Sequence, residues 1–549
     1  MRLRLALAAC LLVGSAAVSA GVTAGVGTDP EATPTSTQVS TTEPTAPTVH
    51  AVYPDPVAGG DSGEFVVLAL PDETDLSRYA LTDGDSTAHL PNRTVSGRIA
   101  VTADPAAVRN LTEYSVLEVD TDLALANSGE TVTVQRNGTA VDSARYTDTE
   151  EGELGVVRGS TIDWRALGAT NFSVVSAAGG NVTAFTLPDS PQAPLTPIRN
   201  ATERVYLAGY TLTSSRVADE LIAAQARGAE VRVLLEGDPV GGRTRTGAET
   251  LDRLSEAGIE VRVVDGPYAR YRYHHAKYAV ADDRAVVLTE NWKPAGTGGN
   301  SSRGWAVATS QREIVVGLAD TFEADIGWRD AVAWSTYREG RSFQLGGAAT
   351  ASYPANFDAT TVPVNRTELL VTPDNAQGAI VAELQAAESS IDVIQPTVGG
   401  WEEPLMTALR QAASRGVEVR LLLGSAWYVR EENRQMVERF EAWAERTGAP
   451  LSARLADSGD RYGHVHAKGA VIDDERVVVG SLNWNQQAAT TNREVLLLLH
   501  GTAAAEYFGR VFAADWAGGR PGVPVGLAAA VVGVLVVGVL AARRVRFTA

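Results

Sequence analysis

Lysine is nearly missing from this chain: three residues in 549, against 44 arginines. Cysteine is scarcer still. Cys10 stands alone, which excludes a disulfide framework. Positive charge is short overall, since 66 acidic against 47 basic residues leave a net −19. That balance disfavours non-specific attraction to nucleic acid at low salt. With little lysine and much Ala, Val and Gly, it reads as adaptation to high salt, where acidic surfaces keep protein soluble. The apolar fraction of 44% is ordinary for a globular protein, and the length allows roughly three to four domains.

Long apolar runs are confined to the two ends. Arg2 and Arg4 followed by LALAACLLVGSAAVSA read as a signal peptide over residues 1–20, with Val18-Ser19-Ala20 as a small-residue cleavage site. Residues 523–542 are uncharged and suit one membrane-spanning helix. Arg543, Arg544 and Arg546 follow, so the tail is expected inside and the bulk of the chain outside. The expectation is a cell-surface protein anchored to the membrane by its C-terminal helix.

Between the ends the texture changes twice. Residues 21–47 are rich in Thr, Ser and Pro, cannot build a core, and read as a linker. Residues 48–148 carry short alternating runs with turns between them, including Asn137-Gly138 between TVTVQR and TAVDSARY, a strong hairpin signal. This predicts an all-β sandwich. Its succession VYPDP, SGEFVVL, LSRYALTDG and ALANSGETVTV resembles the lamin-tail domain, which implies a binding or positioning module without a catalytic set. After about residue 183 the pattern becomes α/β, and it occurs twice. ARGAEVRVLLEG and SRGVEVRLLLG are near copies, each an amphipathic helix end, an Arg-Gly stop and a strand. The repeat predicts two similar lobes, 183–335 and 362–517, packed about a pseudo-twofold axis as mixed sheets flanked by helices.

The scarce lysines fall at matched places in that repeat. HHAKYAVADD (274–283) and HVHAKGAVIDD (464–474) hold Lys277 and Lys468, each two places after His275 or His466. Read as strand, positions i and i+2 share a face, so each His–Lys pair points one way. Asp282 and Asp473 lie near the turn, where their ordinary role is side-chain to backbone hydrogen bonding. His464 and His466 also share a face and could be read as a metal pair. A lysine two places on would repel a cation, so no metal and no organic cofactor is expected.

These phrases, followed in the second copy by GSLNW (480–484), resemble the phospholipase D superfamily, over about residues 183–517. The resemblance implies a phosphodiester substrate and a catalytic set of His275, Lys277, Asp282, His466, Lys468 and Asp473, both half-sites coming from one chain. One imidazole would attack phosphorus and form a phosphohistidine, and the other would protonate the leaving alcohol. In the family's usual order His275 attacks and His466 is the acid. Asn291, Ser481 and Asn483 would position the nonbridging oxygens with the lysines. Glu313 and Glu494 would each orient a histidine through its second nitrogen. The first copy departs from the pattern by reading LTENW, with Thr289 in place of serine and Glu290 a poor phosphate neighbour if it points inward. Three readings follow: phospholipid head-group hydrolysis, a surface nuclease using the same chemistry, and a non-catalytic surface-binding protein with a decayed first half-site.

Overall fold

The computed structural model describes residues 46–519, apart from 59–61, 110, 122, 267 and 348. The expected signal peptide, almost all of the 21–47 linker and the 523–542 helix lie outside the described residues. Among the described residues no helix is long and apolar enough to cross a membrane.

The first part of the chain forms two β-sheets, one of six strands and one of four. Strand Thr131–Arg136 shows why: Val132 and Val134 are buried while the residues between them face outward, the period-2 alternation of a half-buried strand. Asn137 (φ 50°) and Gly138 (φ 79°) are both left-handed, as a two-residue hairpin of the right twist requires. Strands Glu153–Arg158 and Thr161–Ala166 lie past the expected boundary at 148 and extend the six-stranded sheet beside Thr48–Tyr53. Their alternation is weak, with most side chains half-buried, which hid them from a pattern reading.

The rest is mixed α/β and repeats itself. The first lobe, inside a short antiparallel edge strand Ala331–Ala333, orders its strands Glu260–Val264, Glu230–Glu236, Arg204–Gly209, Tyr278–Ala281, Arg284–Leu288, Gly304–Thr309, Asn181–Leu187, Thr360–Pro363. The second runs Leu451–Leu455, Glu418–Leu423, Ser390–Gln395, Gly469–Ile472, Arg476–Gly480, Val495–His500, Arg366–Val371, Val175–Ala178. In each, the first three strands are parallel and the rest antiparallel. The last strand of each sheet is exchanged: Val175–Ala178 precedes the first lobe yet pairs in the second, and Thr360–Pro363 does the reverse.

Local chemistry sets the helices. Ser214 caps Ser215–Ala226 by accepting from the Val217 amide, and Gly228 at φ +100° ends it. Gly416 at φ +97° ends Pro404–Ser414 in the same way. Arg227 and Arg415, just before these glycines, donate to backbone carbonyls of the preceding segment, Ala201 and Leu384 among them. Between the lobes lies a continuous apolar core. Trp305 of the first lobe is fully buried there, 4.7 Å from the Phe508 ring of the second. It packs against Gly469, where an added Cβ would meet the indole at 2.6 Å. Glycine therefore stands after Lys468 where tyrosine follows Lys277.

Candidate active site

The paired phrases are not in strands at their histidines. His275 and Lys277 stand just ahead of strand Tyr278–Ala281, and His466 and Lys468 just ahead of Gly469–Ile472. Strand alternation therefore does not align them; the opposite lobe does. The His275 amide donates to the Arg493 carbonyl at 2.9 Å, and the Arg493 amide donates to Tyr273 at 3.0 Å. In mirror image, the His466 amide donates to the Arg303 carbonyl at 2.9 Å, and the Arg303 amide donates to His464 at 2.9 Å. Each lysine curls back on its own histidine: Lys277 Nζ donates to the His275 carbonyl at 2.5 Å and Lys468 Nζ to the His466 carbonyl at 2.8 Å. Lys468 Nζ also reaches across to the Thr289 carbonyl of the first lobe, 3.5 Å away.

Arg303 and Arg493 are fully buried, so both need counter-charges. Arg493 lies 3.0 Å from Asp325, on helix Arg312–Ile326 of the other lobe, and 3.2 Å from Asp374. Arg303 lies 3.0 Å from Asp515, on helix Thr502–Ala517 of the other lobe, and also pairs with Asp189. Tyr271 and Tyr462 pack against the two guanidiniums at 4.3 and 4.7 Å. The segment leaving the β unit completes the first cluster. Arg493 Nη2 donates to Thr170 Oγ1 at 2.6 Å, Thr170 donates to Asp374 at 2.7 Å, and Arg165 pairs with Asp374 at 3.3 Å.

A carboxylate serves each imidazole, but neither is placed as the repeat implied. His275 Nδ1 donates to Glu494 Oε1 and Oε2 at 2.8 and 2.9 Å, so Glu494 orients the histidine of the opposite lobe. Glu313 is exposed on the first turn of its helix and serves no histidine, a correction to the sequence reading. Its expected role falls to Glu290, 2% exposed, with Oε2 at 3.3 Å from His466 Nδ1. Strand register explains the substitution. The Thr289 amide bonds Trp305 and the Ser481 amide bonds Val495, so Gly304 occupies the place of Glu494. A Cβ on Gly304 would strike Glu290 Cγ at 2.3 Å. The Glu290 side chain fills the space a glutamate at 304 would have used, and it comes from the place of Leu482 in the other copy.

The other predicted residues separate into two groups. Asp282 and Asp473 hold turns. Asp282 accepts the amides of Thr202, Glu203 and Arg204, and Asp473 those of Glu388, Ser389 and Ser390, at the entry to each lobe's first parallel strand. Both are left-handed, near φ 54°. Counting them as catalytic is thus corrected in favour of the turn role. Ser481 is also corrected as a phosphate contact: it is fully buried, and its hydroxyl accepts from the Val495 amide at 3.0 Å, as Thr289 does from Trp305. Asn291 and Asn483 are half-buried just before the buried Trp292 and Trp484, and Asn291 Oδ1 has no partner. Tyr210 went unnoticed in the sequence. Its ring meets His275 edge-on at 4.8 Å and lies 5.4 Å from Lys277 Nζ. A lone tyrosine after a buried strand carries no signal of such a place.

Burial dominates the electrostatics. It lowers His275 and His466 to about 4, reinforced by the nearby lysines and opposed by Glu494 and Glu290. Desolvation likewise holds Lys468 down to about 8 and pulls Lys277 well below its ordinary value. Each histidine also feels the other lobe's lysine, so the four groups form one cluster. Two neutral imidazoles beside two lysines make a seat that gains by receiving an anion. A cavity of about 570 Å³ lined by Phe185, Pro191, Arg284 and Thr361, among others, shares no residue with this cluster. Among the described residues, Glu368, Glu383 and His500 have the spacing of metal ligands, and they too lie outside it.

A family described as "Cardiolipin synthase, PLD-like domain" matches the chain over residues 195–326 and 380–516, one stretch in each lobe. The chain thus carries PLD-like sequence in both halves. Mitochondrial cardiolipin hydrolase of Xenopus tropicalis is 34% identical over 104 residues, covering 19% of this chain and 44% of that protein. Its Xenopus laevis counterpart is 28% identical over 144 residues, covering 26% and 62%. The chain therefore spans about half the length of these curated relatives. Among solved structures, phosphatidylserine synthase of Haemophilus influenzae has a TM-score of 0.43 at 16% identity, covering 58% of this chain and 82% of that one. Nuc, a phospholipase D family member from Salmonella typhimurium, has 0.25 at 16%, covering 28% and 97%.

Proposed function

We propose that this protein is a phosphodiesterase of the phospholipase D type that cleaves phospholipid head groups. The observation that carries the reading is the reciprocal construction of the His–Lys cluster, in which each imidazole is placed by the opposite lobe and paired there with a carboxylate. With its Nδ1–H committed to Glu494, His275 presents Nε2 as the nucleophile. Attack forms an N–P bond as the P–O bond to the leaving alcohol breaks, and His466 gives that oxygen its proton. The bound phosphodiester's negative charge raises His466 from its depressed value so that it carries the proton. His466 then takes a proton from water as the water oxygen displaces His275 from phosphorus. Lys277 and Lys468 neutralise the nonbridging oxygens.

Relatives named cardiolipin hydrolase favour a phospholipid over nucleic acid. On this reading the apolar 523–542 segment anchors the protein at the cell surface, and the β unit spaces or positions the lobes. The test uses a soluble chromogenic diester, labelled phospholipid and plasmid DNA in the presence of chelator. Phospholipid and chromogenic diester are turned over, and His275→Ala or His466→Ala lowers the rate by about 10⁴-fold or more. Cleavage of DNA alone would establish the nuclease instead, and no turnover of any substrate would leave a binding protein.

A further inference from the structure

We propose that three loop tips around the His–Lys cluster form an apolar collar that inserts into a lipid bilayer and seats the site on its surface. Trp427, Leu345 and Val240 are 88%, 82% and 77% exposed, the most exposed large apolar side chains among the described residues. Isolated exposed apolar residues are ordinary. These three converge on one place. The Val240 amide donates to Tyr210 Oη at 2.6 Å, and the Tyr210 ring is the one that meets His275. Leu345 follows Gln344, whose carbonyl accepts from the Arg245 amide at 2.7 Å at the end of the same 237–244 loop. Trp427 adjoins Tyr428, whose hydroxyl is pushed up by burial and, to a smaller extent, by the Glu290 carboxylate. The 237–244 and 424–429 loops are counterparts in the repeat, each leaving the C-terminal end of the middle parallel strand.

The chemistry of the tips selects a bilayer. Tryptophan and tyrosine favour the membrane interface, and valine and leucine favour the acyl region just below it. Binding a single strand by stacking needs a row of free aromatic faces. Val240 and Leu345 have none, and Trp427 and Tyr428 stand at 87° to each other. Arg245 and Arg430 are exposed beside the tips, but so are Asp238, Glu431 and Glu432. Insertion of apolar side chains rather than net charge therefore carries the contact, and it persists at high salt. The inference deepens the phosphodiesterase reading by naming a diester presented in a membrane, and it takes its meaning from that reading.

The test uses the full chain with Cys10→Ser and one introduced cysteine, Trp427→Cys, Leu345→Cys or Val240→Cys, labelled with a polarity-sensitive fluorophore. Val141→Cys on the β unit is the control for an exposed site elsewhere. With vesicles of phosphatidylglycerol and cardiolipin, at low and high salt, the three tip labels shift to the blue. They are quenched at least about twofold by nitroxide lipids, and the control is not. Reading individual positions separates collar insertion from any anchoring by residues 523–542. Tip labels that do not respond, or that respond to single-stranded oligonucleotide and not to vesicles, overturn the collar. Turnover of the soluble diester is followed in the same proteins. Insertion without turnover sinks the phosphodiesterase reading and leaves the collar standing, while turnover without insertion sinks the collar alone.

Discussion

In the second lobe, the carboxylate that holds an imidazole stands one residue ahead of strand Val495–His500. In the first lobe that position is Gly304, and the carboxylate comes from Glu290, where the second lobe has Leu482. The same group thus reaches nearly the same place from a different backbone position. A second pair of positions differs together: Trp305 packs against Gly469, and the corresponding residues of the repeat are Val495 and Tyr278. Departures from a repeat that look like decay one residue at a time are compensated two at a time in space. LTENW is the visible half of such a pair.

The two arrangements are not equally tight. Glu494 accepts from His275 at 2.8 and 2.9 Å, and Tyr210 packs on that ring. Glu290 lies 3.3 Å from His466 Nδ1, and Lys468 Nζ sits at the same distance from that nitrogen. The better-held His275 is the one assigned the attack. Glu494→Gln should lower kcat on the soluble diester by about 10³-fold, since a neutral partner leaves the attacking ring poorly oriented. Glu290→Gln should cost about 10- to 100-fold. The sharper experiment moves the carboxylate. Gly304→Glu alone collides with Glu290 and should be nearly inactive, as should Glu290→Leu alone. The double variant Glu290→Leu/Gly304→Glu, which copies the second lobe, should recover most of the loss. If it is as inactive as its worse parent, the exchange is not a compensation.

The buried arginines extend the comparison to stability. Arg493 faces Asp325 and Asp374 with Thr170 and Tyr271 around it, whereas Arg303 faces Asp189 and Asp515 with two of its nitrogens lacking an aligned partner. Arg493→Met should destabilise by about 3–5 kcal/mol, because buried Asp325 and Asp374 lose their nearest counter-charge and keep only Arg270 at 4.0 Å and Arg165 at 3.3 Å. Arg303→Met should cost less. Denaturant unfolding of both variants decides it, and equal losses would remove the asymmetry claimed for the two clamps.

Much of this was legible in the sequence because the repeat doubled every signal. The near copies ARGAEVRVLLEG and SRGVEVRLLLG fixed helix, stop and strand at once, and three lysines in 549 residues made two His–Lys phrases conspicuous. What escaped depends on contacts between distant segments. The Glu494–His275 bond links residues 219 apart, and nothing near either shows that the partner is in the other lobe. Glu313 in QREI matches Glu494 in NREV only as a phrase, and a phrase says nothing of a glycine that makes room for a neighbour's side chain. Ser481 sits two places before Asn483 on paper, yet its hydroxyl is consumed by a backbone amide across the ladder.

The electrostatics offers a further way to separate the halves. Both histidines are held near 4 against 6.5 for a free imidazole, chiefly by burial. Between those values the unfolded chain binds protons that the native chain refuses, so native stability falls as pH drops from about 6.5 towards about 4. Replacing both histidines with asparagine should flatten that part of the profile. On the alkaline side, kcat/KM should fall above about 8 as Lys468 loses its charge, and the fall should vanish from whatever rate remains in Lys468→Arg. An unchanged alkaline limb would assign it to another group.

The smallest effect is expected at the residues that the motif itself would rank highest. Asp282 and Asp473 complete the two phrases, but each carboxylate faces the backbone amides that open a parallel strand, at the end of the hairpin away from the histidines. Asp282→Asn keeps one carbonyl oxygen as acceptor and loses the second, together with the charge that strengthens these bonds. A loss of about 1–2 kcal/mol in stability is expected, with kcat on the soluble diester within about twofold of the parent. Asp473→Asn should cost more, since that carboxylate also pairs with Arg476. A catalytic role for either would show the opposite pattern, a fall in kcat of about 10²-fold or more in a protein that unfolds where the parent does.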